Sequence, residues 1–178
     1  IDASPTGQLS TVLDDEGNEI ATLVTSGTNR DPVTIDQMPI DLQHAFVAIE
    51  DERFYDHNGI DIKGIIRAGF KGIASGFHFH QGASTITQQL AKQLYSPESS
   101  GLFERALQKP IEWAIAIKIE RFYTKDEIVK MYFNQFDFLN NAVGISSASW
   151  VYFGKKPKDL NVQEAATLEG MCKNPSYY

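Results

Sequence analysis

The sequence has a single cysteine, no long apolar run and no excess of positive charge. Cys172 stands alone, which excludes an internal disulfide and any cysteine-rich zinc site; it is read as a small core residue. No stretch approaches the roughly 18 consecutive apolar residues of a membrane-crossing helix. A formal net charge of -7 excludes a general nucleic-acid binder with a basic surface. His78 and His80 are read as solvent-facing loop residues, so no metal site is assigned. The first residue is Ile1 rather than a methionine, and no signal-peptide pattern follows it. The last residues, Asn174-Pro175-Ser176-Tyr177-Tyr178, form no polar tail. The chain is therefore expected to be a piece of something longer, with its C-terminal end truncated.

What is present fits one mainly helical domain with a small β appendage. The 178 residues are 42% hydrophobic and 22% charged, enough apolar material for a real core. Residues 1–40 read as short strands and turns, an N-terminal β-rich linker or appendage. Two apolar runs flank an acidic Gly17-Asn18 turn between Val12 and Leu23, a hairpin signal. From residue 41 the pattern turns helical, and 41–178 is read as the main domain. Leu42, Ala45, Phe46 and Ile49 fall at helical spacing, with Asp41 as N-cap. A second helix is expected over 61–75, begun by Asp61, and a third opens at Ser84 or Thr85 and runs to about Tyr95. Residues 76–83 form an aromatic, glycine-bounded loop, and 97–101 a break. Residues 103–122 carry an apolar stripe of Leu107, Ile111, Ile115, Ile119 and Phe122. Pro110 either starts a helix there or kinks one running through. Thr124 with Glu127, and Asn161 with Glu164, are capping pairs for two more helices.

Three clusters carry chemistry. Glu50-Asp51-Glu52-Arg53 sits where the first helix ends, and a carboxylate there beside a cation is placed for general-base work. The same run also suits a solvated acidic helix end. Ser84, Thr85 and Thr87, after Gly82, offer hydroxyls and free N–H groups to an anion at a helix start, with Lys92 further along. An ordinary N-cap looks the same. Arg105, Lys109 and Glu112 share a helix face at spacings of four and three, which also describes a surface ion pair.

The order of these clusters resembles the peptidoglycan glycosyltransferases (family 51), the glycan-polymerising domain of class A penicillin-binding proteins. Glu50-Asp51-Glu52-Arg53-Phe54-Tyr55-Asp56-His57-Asn58-Gly59 is similar to their first motif, and Gly82-Ala83-Ser84-Thr85-Ile86-Thr87-Gln88-Gln89 to their second. Lys109-Pro110-Ile111-Glu112 resembles the third. The fourth is matched by Lys125-Asp126-Glu127-Ile128-Val129-Lys130-Met131-Tyr132-Phe133-Asn134, and the closing segment by Tyr152-Phe153-Gly154-Lys155. Gln108 stands where an arginine is usual, and Glu104 where another is, with Arg105 one position away. Leu139 and Asn141 replace usual glycines, and Gly144 keeps its place.

The resemblance implies a lysozyme-like helical fold with a membrane-facing segment at about 65–81, its lipid contacts being Phe70, Ile73, Phe77 and Phe79. It implies polymerisation of lipid II into β-1,4 glycan strands with inversion and release of undecaprenyl pyrophosphate. Glu50 matches the general base and Glu112 the second glutamate. Asp51, Arg53, Ser84, Thr85, Thr87, Gln88, Gln89, Lys92, Arg105, Lys109 and Asn134 are carried over as substrate-binding residues, and His57 as a brace for the Gly59 turn. No cofactor is required, with room for magnesium or manganese at the pyrophosphate. The implied partners are lipid II, the growing glycan strand, membrane lipids and a transpeptidase domain in the full-length protein, at the extracytoplasmic face of a bacterial membrane. Moenomycin is the expected inhibitor. The alternatives are a lysozyme-like hydrolase, which would have no use for phosphate-binding cations, and a catalytically weak lipid II-binding module.

Overall fold

The appendage, seven helices and their caps follow one another in a computed structural model that describes residues 10–23, 31–74, 84–95 and 102–173. The N-terminal hairpin pairs β1 (Ser10–Leu13) antiparallel to β2 (Glu19–Leu23), with Thr11 opposite Thr22. Its turn is held by Asp14, whose carboxylate accepts the N–H groups of Glu16 and Asn18 at 2.9 and 2.7 Å. Gly17 turns the chain at φ +86.

The helices are α1 (Ile40–Glu50), α2 (Ile62–Ala74), α3 (Ile86–Tyr95), α4 (Leu102–Phe122), α5 (Lys125–Gln135), α6 (Ile145–Phe153) and α7 (Val162–Lys173). Most begin where the sequence places a cap. Asp61 accepts the Gly64 N–H at 2.9 Å, and Thr85 accepts the Gln88 N–H at 3.1 Å. Both are side-chain oxygens satisfying orphan donors of a first turn. Glu127 reaches back to the Thr124 N–H at 2.7 Å, and Glu164 to the Asn161 N–H at 2.8 Å. Those are the two expected capping boxes. Asp41 is a correction: α1 already includes Ile40, so Asp41 lies in the first turn, where its charge suits the helix dipole. The expected loop at 76–83 and break at 97–101 lie outside the described residues.

Two compact units make up the chain: residues 1–46 with 129–178, and residues 47–128. In the first, Leu42, Phe46, Phe133, Phe138, Ile145 and Leu168 are fully buried. Each such side chain contributes about 1.5–3 kcal/mol by leaving water. The Phe46 ring packs on Tyr132 and Phe133 at 4.6 and 4.7 Å between centroids. Cys172 is buried here as a small core residue. The short helix α6 was not expected. It is apolar nearly all round and bracketed by Gly144 and Gly154, so it carries no amphipathic period to read.

In the second unit α3 packs on α4. The expected stripe on α4 matches the buried face only in part: of its members Ile119 is buried and Ile115 half-buried, and the side chain of Leu107 lies outside the described residues. Ile111 and Phe122 are 59% and 67% exposed, while Glu112, Ala116 and Ile119 are buried. The cause is Gly59. At φ +89 it brings its backbone so close to α4 that an added Cβ would stand 2.8 Å from the Ala116 carbonyl. The helix turns its small residue, not its large ones, toward that contact. Pro110 lies inside α4, which runs through it, so it does not start the helix.

Candidate active site

Residues 50–59 leave the end of α1 and fold into a turn that buries Asp51, Phe54 and Gly59 and exposes Glu52, Tyr55, Asp56 and Asn58. Phe54 anchors it, fully buried. Asp51 is buried behind it, with both carboxylate oxygens within reach of His57 Nε2 at 2.9 and 3.1 Å. The Ile86 N–H donates to the same carboxylate at 3.1 Å. The anion expected at the start of α3 is therefore this protein's own: Asp51 takes the first N–H and the Thr85 hydroxyl takes the Gln88 N–H. Those groups are not free for a phosphate, which corrects the expectation drawn from the helix start.

Gly59 is the second fixed point. Its carbonyl accepts the Thr85 hydroxyl at 2.7 Å and the Gln88 amide at 3.3 Å. Thr85, Thr87 and Gln88 are all buried, and Thr87 donates to Glu120 Oε1 at 2.6 Å. These three, expected to line the cleft, hold α3 to its surroundings instead. Arg53 donates to Asp61, and the pair covers Gly64. Burial pushes the Asp61 carboxyl up, but the Arg53 hydrogen bond, the Gly64 N–H and the Arg53 charge outweigh it and hold it below its usual range. The Asp61 hydrogen bond raises the Arg53 guanidinium in turn.

What this scaffold leaves half-open is a smaller set. Glu50, the last residue of α1, is half-buried and accepts one hydrogen bond, from the Gln89 side-chain amide at 2.9 Å. Glu112 is buried on α4, with Lys109 Nζ 2.7 Å from its Oε2. Lys109 also donates to the Ser84 hydroxyl at 3.1 Å, while its side chain stays 48% exposed. Lys92 is exposed on α3. Arg105 lies in α4 one turn before Lys109, and its side chain is outside the described set. The unit thus carries a carboxylate held by a neutral amide, and a second carboxylate held by a cation that remains accessible. Such a pair can accept a proton at one point and stabilise an anion at another.

Asn134 is a separate case. It belongs to the first unit and is buried, and its amide both accepts the Val33 N–H at 2.9 Å and donates to the Val33 carbonyl at 2.8 Å. It serves as a partner for the Val33 backbone. Two residues of the second unit went unassigned in the sequence: Glu120 and, within the fourth motif, Lys125. Nothing local marks them, because Glu120 meets Thr87 across 33 positions and Lys125 meets His57 across 68.

On α2, Ile62, Ile66 and Phe70 stand four apart and are 66%, 54% and 72% exposed, with Lys63 and Arg67 between them. Phe70 is exposed, as a lipid-facing residue would be. Phe77, Phe79 and the side chain of Ile73 lie outside the described residues. Among the described residues, no helix is long and apolar enough to cross a membrane, and no group of three His, Cys, Asp or Glu side chains could hold a metal.

A family model described as Transglycosylase matches residues 16–178. Penicillin-binding protein 1F of Bacillus subtilis is 44% identical over 169 residues, covering 95% of this chain and 23% of the relative. Penicillin-binding protein 1A of Escherichia coli is 46% identical over 151 residues, 84% of this chain and 17% of the relative. Penicillin-binding protein 1A of Pseudomonas aeruginosa is 40% identical over 150 residues, 84% of this chain and 18% of the relative. The chain spans less than a quarter of the length of these curated relatives.

Proposed function

The chain belongs to the transglycosylase family, and from that premise we propose that it is a peptidoglycan glycosyltransferase polymerising lipid II with inversion. In this reading Glu50 takes the proton from the acceptor's 4-hydroxyl. The freed oxygen attacks C1 of the donor chain. The bond from C1 to the phosphate oxygen breaks, and its electron pair leaves with undecaprenyl pyrophosphate. Attack on the face opposite the leaving group gives the β-1,4 link. A pyrophosphate is already a stable anion, so cations replace most of the protonation a glycosidase needs. Lys109, held beside Glu112 yet half-exposed, carries that role best, with Lys92 and Arg105 as further phosphate contacts. Gln89 orients Glu50, and Ser84 orients Lys109.

The observation that supports this reading most directly is the pairing of chemistries within one unit: Glu50 on a neutral amide, Glu112 on an accessible lysine. A hydrolase would need a protonated acid and would gain nothing from the lysine. No resident cofactor is needed in this scheme, and a magnesium or manganese ion would enter with the pyrophosphate. Moenomycin, which mimics the growing chain, is expected to bind the same cleft. The apolar stripe of α2, flanked by basic residues, suits a membrane surface, where the substrate's lipid lies. The relatives' greater length and their names support a place in a membrane-anchored penicillin-binding protein with a transpeptidase domain, acting at the extracytoplasmic face.

Glu50→Gln tests the proposal. It keeps the shape and the Gln89 contact but removes the proton acceptor, so lipid II turnover falls by about 10²–10⁴-fold. Near-wild-type polymerisation by the folded variant would sink the assignment, and cut glycan in place of polymer would make the chain a hydrolase.

A further inference from the structure

We propose that Lys125 and Glu120 are positioning residues that hold the Glu50 segment against α3, through a closed ring of part-buried hydrogen bonds. The proposal rests on the role of Glu50 given above. Asp51 accepts from His57 Nε2 and from the Ile86 N–H. The His57 backbone carbonyl accepts from Lys125 Nζ at 2.8 Å. Lys125 Nζ also donates to Glu120 Oε1 at 2.8 Å, and that oxygen accepts the Thr87 hydroxyl at 2.6 Å. Thr87 follows Ile86 on α3, so the ring closes on Asp51.

The ring is mostly shielded from water. The Glu120 side chain is 4% exposed and that of Lys125 20%, with its Nζ 4.2 Å above the Phe54 ring. Burying two charges adds little net stability, because desolvation offsets most of their attraction. A pair of helices packs well without them, as Ala116 against Gly59 and the buried Leu90 attest. What charged hydrogen bonds supply beyond packing is direction: apolar surfaces slide over one another, whereas a donor and acceptor at 2.8 Å do not. The ring passes through the two chain segments that carry the reacting group and its partner. Glu50 directly precedes Asp51, and Gln89, one turn on from Ile86, donates to Glu50 at 2.9 Å. Lys125 bonds to the His57 carbonyl and Glu120 to Thr87, so their effect reaches Glu50 through the ring.

The test removes both charges together, because Lys125→Met alone would strand the Glu120 carboxylate and endanger folding. Exchanging both partners for neutral groups avoids that penalty. In the 15N-labelled wild-type protein the Gln89 side-chain amide is expected as one resolved, slowly exchanging pair of resonances. In Lys125→Met/Glu120→Gln these signals shift and broaden. Lipid II turnover then loses kcat by about ten- to a hundredfold, the scale of a small misplacement of a reacting group. KM stays within about twofold, because no substrate contact is removed. In a Glu50→Gln background the double change costs nothing further, since its effect passes through Glu50. Unchanged Gln89 signals and kcat at a lowered melting temperature would make the ring purely structural and overturn the proposal. So would an equal loss of kcat in the Glu50→Gln background. The amide readout needs no substrate: a wild type inactive on lipid II whose Gln89 signals still respond to the double change would fail the glycosyltransferase reading and uphold the ring.

Discussion

Two turns follow helix ends in this protein, and they are built in opposite ways. Residues 51–59, after α1, are charged, and the turn closes at Gly59 with φ +89. Residues 136–144, after α5, carry a single charged side chain, Asp137, and run through three consecutive left-handed non-glycine residues, Leu139, Asn140 and Asn141, before Gly144. The second turn is held by backbone bonds, Phe138 N–H to the Ala142 carbonyl and Gly144 N–H to the Phe136 carbonyl, with Tyr152 donating to the Phe138 carbonyl. Its one carboxylate, Asp137, accepts the Leu139 N–H at 2.8 Å, so this helix end is turned with far fewer ionic groups than the first. The first turn gathers buried Asp51 with half-buried His57 and Arg53, more ionic groups than the second turn uses, next to Glu50. The tolerance for strain differs as well. Asparagine enters the left-handed region readily, but leucine does so at a cost of about 1–2 kcal/mol. The first turn has no such residue.

The comparison can be broken hardest at Gly59. A methyl group there meets the Ala116 backbone at 2.8 Å and must also hold a positive φ. Gly59→Ala is expected to cost about 3–5 kcal/mol, overpacking and backbone strain together, and to lower the urea midpoint without changing its slope. A loss under 1 kcal/mol would mean that α4 moves aside easily. The opposite substitution sharpens the contrast. Leu139→Gly relieves the left-handed leucine, whose side chain is 42% exposed and adds little burial, and is expected to raise stability by about 1 kcal/mol. A fall in melting temperature would show that Leu139 is held by packing rather than tolerated.

The smallest effect is electrostatic and belongs to the first turn's flank. The folded Asp61 carboxyl titrates below its usual value, so the Arg53 pair stabilises the protein above the unfolded value near 3.8. That stability is lost as pH falls through the lower folded value. For a partly exposed pair the contribution is about 0.5–1 kcal/mol. Asp61→Asn, which keeps the cap, should therefore be destabilised at pH 7 and equal to wild type in strong acid. A constant gap at all pH values would assign the effect to capping alone.

The parts of this fold legible in the sequence were those set within a turn or two of chain. Asp61, Thr85, Thr124 with Glu127 and Asn161 with Glu164 cap helices because a side-chain oxygen two to three residues away meets an orphan N–H wherever the chain happens to lie. Periodicity succeeded only in part on α4, finding Ile119, because it counts apolar residues and the helix also buries a lysine-paired glutamate and an alanine under Gly59. It failed on α6, whose residues are apolar on every side. The motifs led to Glu50, Lys109 and Glu112, but not to the division of labour among their neighbours. That Thr85, Thr87 and Gln88 brace α3, while Ser84 and Gln89 reach the Lys109 and Glu50 side chains, depends on which way each residue faces once α3 is packed.

By itself, then, the sequence determined the helices, their caps and the glutamates at their ends, since these rest on local geometry. Only the tertiary structure decided that Asp51 meets Ile86 across 35 positions, Glu50 meets Gln89 across 39, and Asn134 meets Val33 across 101. A hydrogen bond between distant segments leaves no period in either of them. It exists only once burial has brought both into a dry interior, where an unmet polar group is too costly to leave.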